Sequence, residues 1–287
     1  MLTKVTAYSQ WASIDPLVLN VINPLDTDLF EVRNIDGLGS VKADVNTTPR
    51  ATPGESFSGT NVGNRNIVLT LGLNPDWNDW TFSRLRRFLD KFFMPQQKIR
   101  LVFETMEFSP VEISGYVEGN EPNLFSKDPE HQISIICPDL YFRSVDPVNI
   151  SFGRSDEDPT PIEYEGNVET PIAVRIEKLF GDPGADPTNI WINIIEGALT
   201  RASQMWAPGG APVVDATHFV QLDSTPGQKS VMKYSTGAGD PVNLLNTSSF
   251  DFGKWPVIDP GTTEVSVTSN AGIQSWTMTY FNLFGSL

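Results

Sequence analysis

The sequence predicts a mainly β protein of two domains with a single substantial helix. Three observations lead there. Glycine and proline, 22 of each in 287 residues, cut the chain into short segments, the pattern of strands joined by turns. Most apolar segments alternate with polar residues at a period of two, as half-buried strands do. One stretch, residues 74–94, has clear helical spacing. A chain of 287 residues suits one large or two medium domains.

The elements follow in order. Residues 1–33 read as strands broken by prolines and polar turns. "IDPLVLNVI" (14–22) and "DLFEVRNI" (28–35) have the β-branched and apolar content of strands. "DGLGSVKADVNTTPRATPGESFSGTNVGNRN" (36–66) is poor in apolar residues. It is either a long loop or an extended β-hairpin arm, and a connection this long in a compact domain implies a job. The strand "IVLTLGL" (67–73) follows.

In "NPDWNDWTFSRLRRFLDKFFM" (74–94), Phe82, Leu85, Phe88, Leu89 and Phe92 recur at helical spacing. The helix is expected over about 79–94, with Asn78 or Asp79 as N-cap and Pro95 as the stop. Arg84, Arg86, Arg87 and Lys91 make its other face basic. Such a face is either solvated or a docking surface for an acidic neighbour.

"KIRLVFE" (98–104), "VEISGYVE" (111–118) and "QISIICP" (132–138) read as three antiparallel strands, with a charged excursion at 120–130. These parts give an N-terminal domain over 1–152, a linker over 153–162 and a second domain over 163–287. The acidic residues of the linker do not follow the ligand spacing of an EF-hand loop. The second domain reads as a β-sandwich. Its strands are expected at 171–178, 189–195, 217–223, 231–235, 264–269 and 275–281, with "EGALTRASQMW" (196–206) as a weak helix.

Composition excludes several functions. The net charge is −15, with acids in excess in both halves, so no polybasic footprint exists for gripping phosphates. The single cysteine, Cys137, rules out an internal disulfide framework and argues for a buried thiol. No signal-peptide pattern opens the sequence, and no uninterrupted apolar run reaches the roughly 18 residues of a membrane span.

A search for catalytic chemistry finds little. The two histidines, His131 in the polar excursion and His218 at a strand start, accompany no G-x-S-x-G or H-E-x-x-H motif. "DGLGSVK" (36–42) lacks the third glycine and the following helix of a phosphate loop. Any glycosidase-like pair of carboxylates lacks specific support among 35 acids. Trp191, Trp206, Trp255 and Trp276 either fill a sandwich core or stack on sugars.

What remains is an assembly component, and the order of its parts resembles the distal tail proteins of long-tailed, non-contractile bacteriophages. Four stretches carry the resemblance: the Gly/Pro/Thr-rich arm running into "NRNIVLTLGL"; "WTFSRLRRFLDKFFMPQQKIRLVF"; "EISGYVEGNEPNLFSKDPEHQISIICPDLYF"; and the pair "GNVETPIAVRIE" and "DFGKWPVIDPGTTEVSV". The resemblance implies a tail-tube-like N-terminal β-sandwich and a galectin-like C-terminal one. It implies a homohexameric ring at the virion tail tip, made in the host cytoplasm. That ring would join the tail-tube protein to the tip hub protein, with receptor-binding proteins at its rim in some phages. DNA would pass through its lumen without specific binding. No enzymatic activity, cofactor or metal is implied.

A heterologous interface repeated around a ring closes it. The two excursions, 43–65 and 120–130, are therefore expected to reach neighbours. The expected interface residues are Arg84, Arg86, Arg87 and Lys91 on the helix, Asn120, Glu121, Phe125 and Lys127 in the second excursion, and Arg50 and Arg65 in the arm. Two alternatives stand beside this reading: a carbohydrate-binding module of a phage fibre or adhesin, and a hydrolase with unrecognised carboxylates. The His, Asn and Arg set of sugar-binding galectins is not matched, because His218 is followed by "FVQL" and the second domain offers only Arg175 and Arg201 in its strands.

Overall fold

The computed structural model describes residues 1–10, 15–25, 28–41, 43–50, 52–76, 78–123, 129–153, 159–177, 189–206, 214–215, 217–237, 239–250, 254–269 and 275–287. They form two units. The first holds Met1–Val145 and Phe284–Leu287, and the second holds Asp146–Leu283. The sequence reading put the boundary after 152, whereas Val148–Gly153 is already a strand of the second unit. Residues 154–158 of the expected linker lie outside the described residues.

In the first unit, β1 (Leu2–Ser9), β2 (Leu17–Asn20), β3 (Phe30–Asp36), the arm strands β4 (Ala43–Pro49) and β5 (Glu55–Val62), and β6 (Arg65–Leu73) precede the helix α1 (Phe82–Phe92). Then come β7 (Lys98–Thr105), β8 (Val111–Pro122), β9 (Glu130–Cys137) and β10 (Phe142–Ser144). Seven strands form an antiparallel path in the order β2-β1-β7-β8-β9-β6-β3. Alternation turns Val5, Ala7, Ile67, Leu69, Leu71, Ile99, Leu101, Phe103, Ile133 and Ile135 onto one core, all fully buried. Helix α1 adds Leu85, Leu89 and Phe92 to that core, as its spacing predicts. Full burial of each such side chain is worth about 1.5–3 kcal/mol.

The helix begins later than expected. Thr81 is the N-cap, without a side-chain cap bond. Asp76 instead accepts from the backbone N–H groups of Asn78, Asp79 and Trp80, which ties these three residues to Asp76 ahead of the helix. On the sheet face away from the core, the Glu112 carboxylate is nearly buried. Arg143 holds it through Nε and Nη2 at 2.8 and 2.6 Å, and Arg100 through Nη1 at 3.1 Å.

The second unit packs two sheets around one core. Its strands are β11 (Val148–Gly153), β12 (Thr160–Pro161), β13 (Thr170–Glu177), β14 (Asn189–Glu196), β15 (Leu199–Trp206), β16 (His218–Asp223), β17 (Ser230–Ser235), β18 (Val242–Asn243), β19 (Ser248–Phe250), β20 (Val257–Ile258), β21 (Glu264–Ser269) and β22 (Ser275–Tyr280). One sheet runs β11-β22-β13-β16-β17-β18 and the other β12-β21-β14-β15-β19. Ile172, Val174, Ile176, Val220, Leu222 and Met278 of the first share a core with Ile190, Ile192, Ile194, Met205, Val265 and Val267 of the second.

The expected helix at 196–206 is a correction: Leu199–Trp206 is strand β15. Glu196 pairs with Leu199 across a two-residue turn, and Gly197 has φ +57°. A positive φ at the first central position suits a hairpin. The helix-forming composition of the segment yields to eight cross-strand pairs with β14.

Candidate functional site

The candidate site is a set of surfaces rather than a cleft. The first is the arm. Among the described residues β4 and β5 pair only with each other, and every residue of both is exposed or half-exposed. Opposed residues in an antiparallel pair share a face. The register places Ala43 with Val62, Val45 with Thr60 and Thr47 with Phe57, with an irregularity between Asn46 and Thr47. The other face carries Asp44 with Asn61, Asn46 with Gly59 and Thr48 with Ser56. The ribbon is thus amphipathic, and its apolar face is open: Phe57 is 67 %, Val45 59 % and Val62 42 % exposed. These three were not among the sequence-predicted interface residues. The signal for them was the alternation of valine, threonine and phenylalanine within a polar stretch.

Of the predicted arm residues, Arg50 is exposed beyond the end of β4. Arg65 is a correction. It is 3 % exposed and donates through Nε to the Leu140 carbonyl at 2.8 Å, through Nη1 to the Gly37 and Gly39 carbonyls, and through Nη2 to the Gly285 carbonyl at 2.6 Å. Its guanidinium lies 4.5 Å from the centre of the Phe142 ring. Burial lowers its pKa, against a smaller upward pull from Cys137. It is an internal staple of the first unit rather than an exposed arm residue.

The second surface is the helix. Arg84, Arg87 and Lys91 are exposed and Arg86 is half-buried. Arg84 Nη1 donates to the Asp79 carbonyl at 2.5 Å.

The third surface was expected at 120–130, and both of its ends are strand. β8 runs to Pro122 and β9 starts at Glu130, so the ladder extends through Asn120–Ile133 and Glu121–Gln132. Asn120 faces the helix end, with Nδ2 at 3.3–3.4 Å from the carbonyls of Leu89 and Phe93 and from Asp90 Oδ1. It adds a side-chain donor at the helix C-terminus, where the Leu89 carbonyl already accepts from the Phe93 N–H. Glu121 is exposed. Phe125 and Lys127 lie outside the described residues.

His131 does not lie in a solvated excursion but inside β9, fully buried, with Nε2 3.7 Å from Asp90 Oδ1. Burial lowers its pKa, Asp90 raises it and Arg86 lowers it, for a net downward shift. Burial likewise pushes the Cys137 thiol up to about 12, making it a poor nucleophile.

In the second unit, His218 Nδ1 lies 2.8 Å from Asp215 Oδ1, which also accepts from the Thr217 hydroxyl at 2.7 Å. Burial would raise the Asp215 pKa, but the bonds from Thr217 and His218 outweigh it and hold the carboxyl at about 2. Arg175 stacks over Phe219 at 3.8 Å, and Arg201 pairs with Glu196 and Asp259. Both arginines available to a sugar site are therefore engaged. Trp276 is 5 % exposed and belongs to the core, against which Trp255 packs half-buried. Trp191 is half-buried on β14, and the Trp206 side chain is outside the described set. Among the described residues, no group of three or more His, Cys, Asp or Glu side chains is placed to hold a metal ion. No helix there is long and apolar enough to cross a membrane.

No protein-family model matches the sequence, and no curated protein matches it significantly. Solved structures do match. The Dit protein of phage SPP1, described as a paradigm of the hub adsorption apparatus in phages infecting Gram-positive bacteria, aligns with a TM-score of 0.64. The match has 14 % identity and covers 98 % of this chain and 99 % of that one. Chains of the phage p2 baseplate in its activated conformation align with TM-scores of 0.43 (with Sr) and 0.44 (with Ca). Their identities are 8 and 9 %, with coverage of 97 % and 98 % of both chains, respectively. These two are too distant to bear on the fold. The resemblance to distal tail proteins is met at the level of the fold, and over nearly its whole length this chain has the fold of the SPP1 Dit protein.

Proposed function

We propose that this chain is a structural component of a phage tail tip, residing in the virion. Six copies form a ring that joins the tail tube to the tip hub, passes DNA through its lumen and offers its rim to receptor-binding proteins. The observation that carries the reading is the fold shared with SPP1 Dit from end to end. The arm supports it, because an isolated two-stranded ribbon is at best marginally stable in water. An open apolar face on such a ribbon suits a neighbouring subunit. The net charge of −15 supports it too, since a channel for DNA must not bind phosphates.

Mass in solution by light scattering, with negative-stain images of the same peak, tests the proposal. Six chains of 31.7 kDa give a ring of about 190 kDa with a central hole. A chain that stays monomeric alone, and also when mixed with the tube and hub proteins of its own virion, refutes it.

A further inference from the structure

The arm needs something to aim it. Among the described residues, neither β4 nor β5 pairs with a strand of the body. The direction of the ribbon is therefore set at its root, where the chain enters through 37–41 and returns through 63–65. The entering segment passes close to the backbone of β6. Gly37 has φ +88°, and a Cβ there would lie 2.0 Å from the Asn66 carbonyl oxygen. Only glycine permits both the torsion and the approach.

Arg65 is the first residue of β6 after the arm. A guanidinium has five N–H donors in a rigid fork. Four bonds leave this one: two to the entering segment at Gly37 and Gly39, one to Leu140 between β9 and β10, and one to Gly285. Leu287 N–H donates to the Leu38 carbonyl at 3.0 Å, closing the same knot from the far end of the sequence. All these residues belong to the first unit.

We infer that Arg65 is the positioning residue of the arm: its guanidinium clamps the entering segment to the β9–β10 connection and to residue 285, and so sets the direction in which the ribbon leaves the unit. The clamp is a property of a single chain and does not depend on ring formation.

Spin labels at Ser58→Cys on the arm and Gln132→Cys on β9 report that direction as a distance distribution. Labelled chains are diluted into unlabelled ones, so that only distances within a chain are read. Cys137 is buried and stays unlabelled. A Lys98→Cys/Gln132→Cys pair reports the body alone.

The native chain is expected to give one narrow arm-to-body peak. Arg65→Met should abolish that peak in favour of a broad distribution while the body pair stays narrow. Arg65→Lys, which keeps the charge but not the fork, should broaden it partly. An arm-to-body peak as narrow in Arg65→Met as in the native chain overturns the inference and leaves Arg65 a core residue only. Should Arg65→Met fail to fold, Arg65→Lys decides: an unchanged narrow peak in that variant also overturns it.

Discussion

Replacing Phe57 by alanine separates what the arm does for the monomer from what it does for the assembly. Full burial of a phenylalanine is worth about 1.5–3 kcal/mol. With 67 % of Phe57 exposed, the monomer holds about a third of that, roughly 0.5–1 kcal/mol. A loss of that size lowers Tm by only about 1–4 °C in a domain of this size. The remaining 1–2 kcal/mol, approximately, is available only if a neighbour covers the ring. A closed hexamer contains six such contacts, so the loss compounds. The concentration for half-assembly should rise roughly ten- to fiftyfold. Light scattering across a dilution series reads the second quantity and calorimetry the first. Asn61→Ala, on the polar face opposite Asp44, should change neither. A dilution curve for Phe57→Ala that superimposes on the native one refutes the assignment of this face to an interface. A fall in Tm beyond about 10 °C would show instead that Phe57 is packed within the monomer.

Three further outcomes are expected. Arg84→Glu/Arg87→Glu/Lys91→Glu should change stability by less than about 1 kcal/mol, because exposed charges contribute little to folding, yet it should abolish ring formation; native-like rings from this variant would assign the helix face to solvent. Stability should fall on acidification below about pH 6.5, the ordinary histidine value. The unfolded chain protonates His131 there while the buried, downshifted imidazole resists. The contribution is complete above that pH and is lost as pH falls through the folded-state value. Urea denaturation of His131→Leu across a pH series should show a shallower acid limb, and identical slopes would remove His131 as a source. The Cys137 thiol, with its pKa near 12, should react with a thiol reagent at pH 8 only at the rate of unfolding. Prompt stoichiometric labelling of the folded protein would contradict its burial.

Features carried by local patterns were readable from the sequence, and those made by distant contacts were not. The helix was legible because Phe82, Leu85, Phe88, Leu89 and Phe92 already form a stripe. The sandwich strands were legible because runs such as "NIWINII" alternate against a core. The arm was legible as a choice between loop and hairpin, since its composition is common to both. Segment 196–206 was misread because alanine, leucine, glutamine and methionine favour a helix locally, while the turn at Gly197 and the pairing with β14 decide the outcome. Arg65 was misread for a related reason. An arginine next to "VGN" has the look of a surface turn, and its acceptors lie 26, 28, 75 and 220 residues away. His131 and Asn120 were placed in a loop because glutamate, asparagine and proline hid the continuation of β8. The buried setting of His131 and the half-buried one of Asn120 depend on a helix about 30–40 residues earlier in the chain.

The return of Phe284–Leu287 to the first unit has a consequence for synthesis. The second unit is an insertion within the first, held at both ends. All the residues between them must leave the ribosome before Gly285 can meet Arg65, a span of 220 residues. Contacts so distant in sequence form late. The first unit can therefore collapse around its core early but completes the root of its arm last. A chain that stops short of residue 285 lacks one acceptor of that knot. The root of the arm is thus a structure that synthesis can complete only once the chain has been made through residue 285.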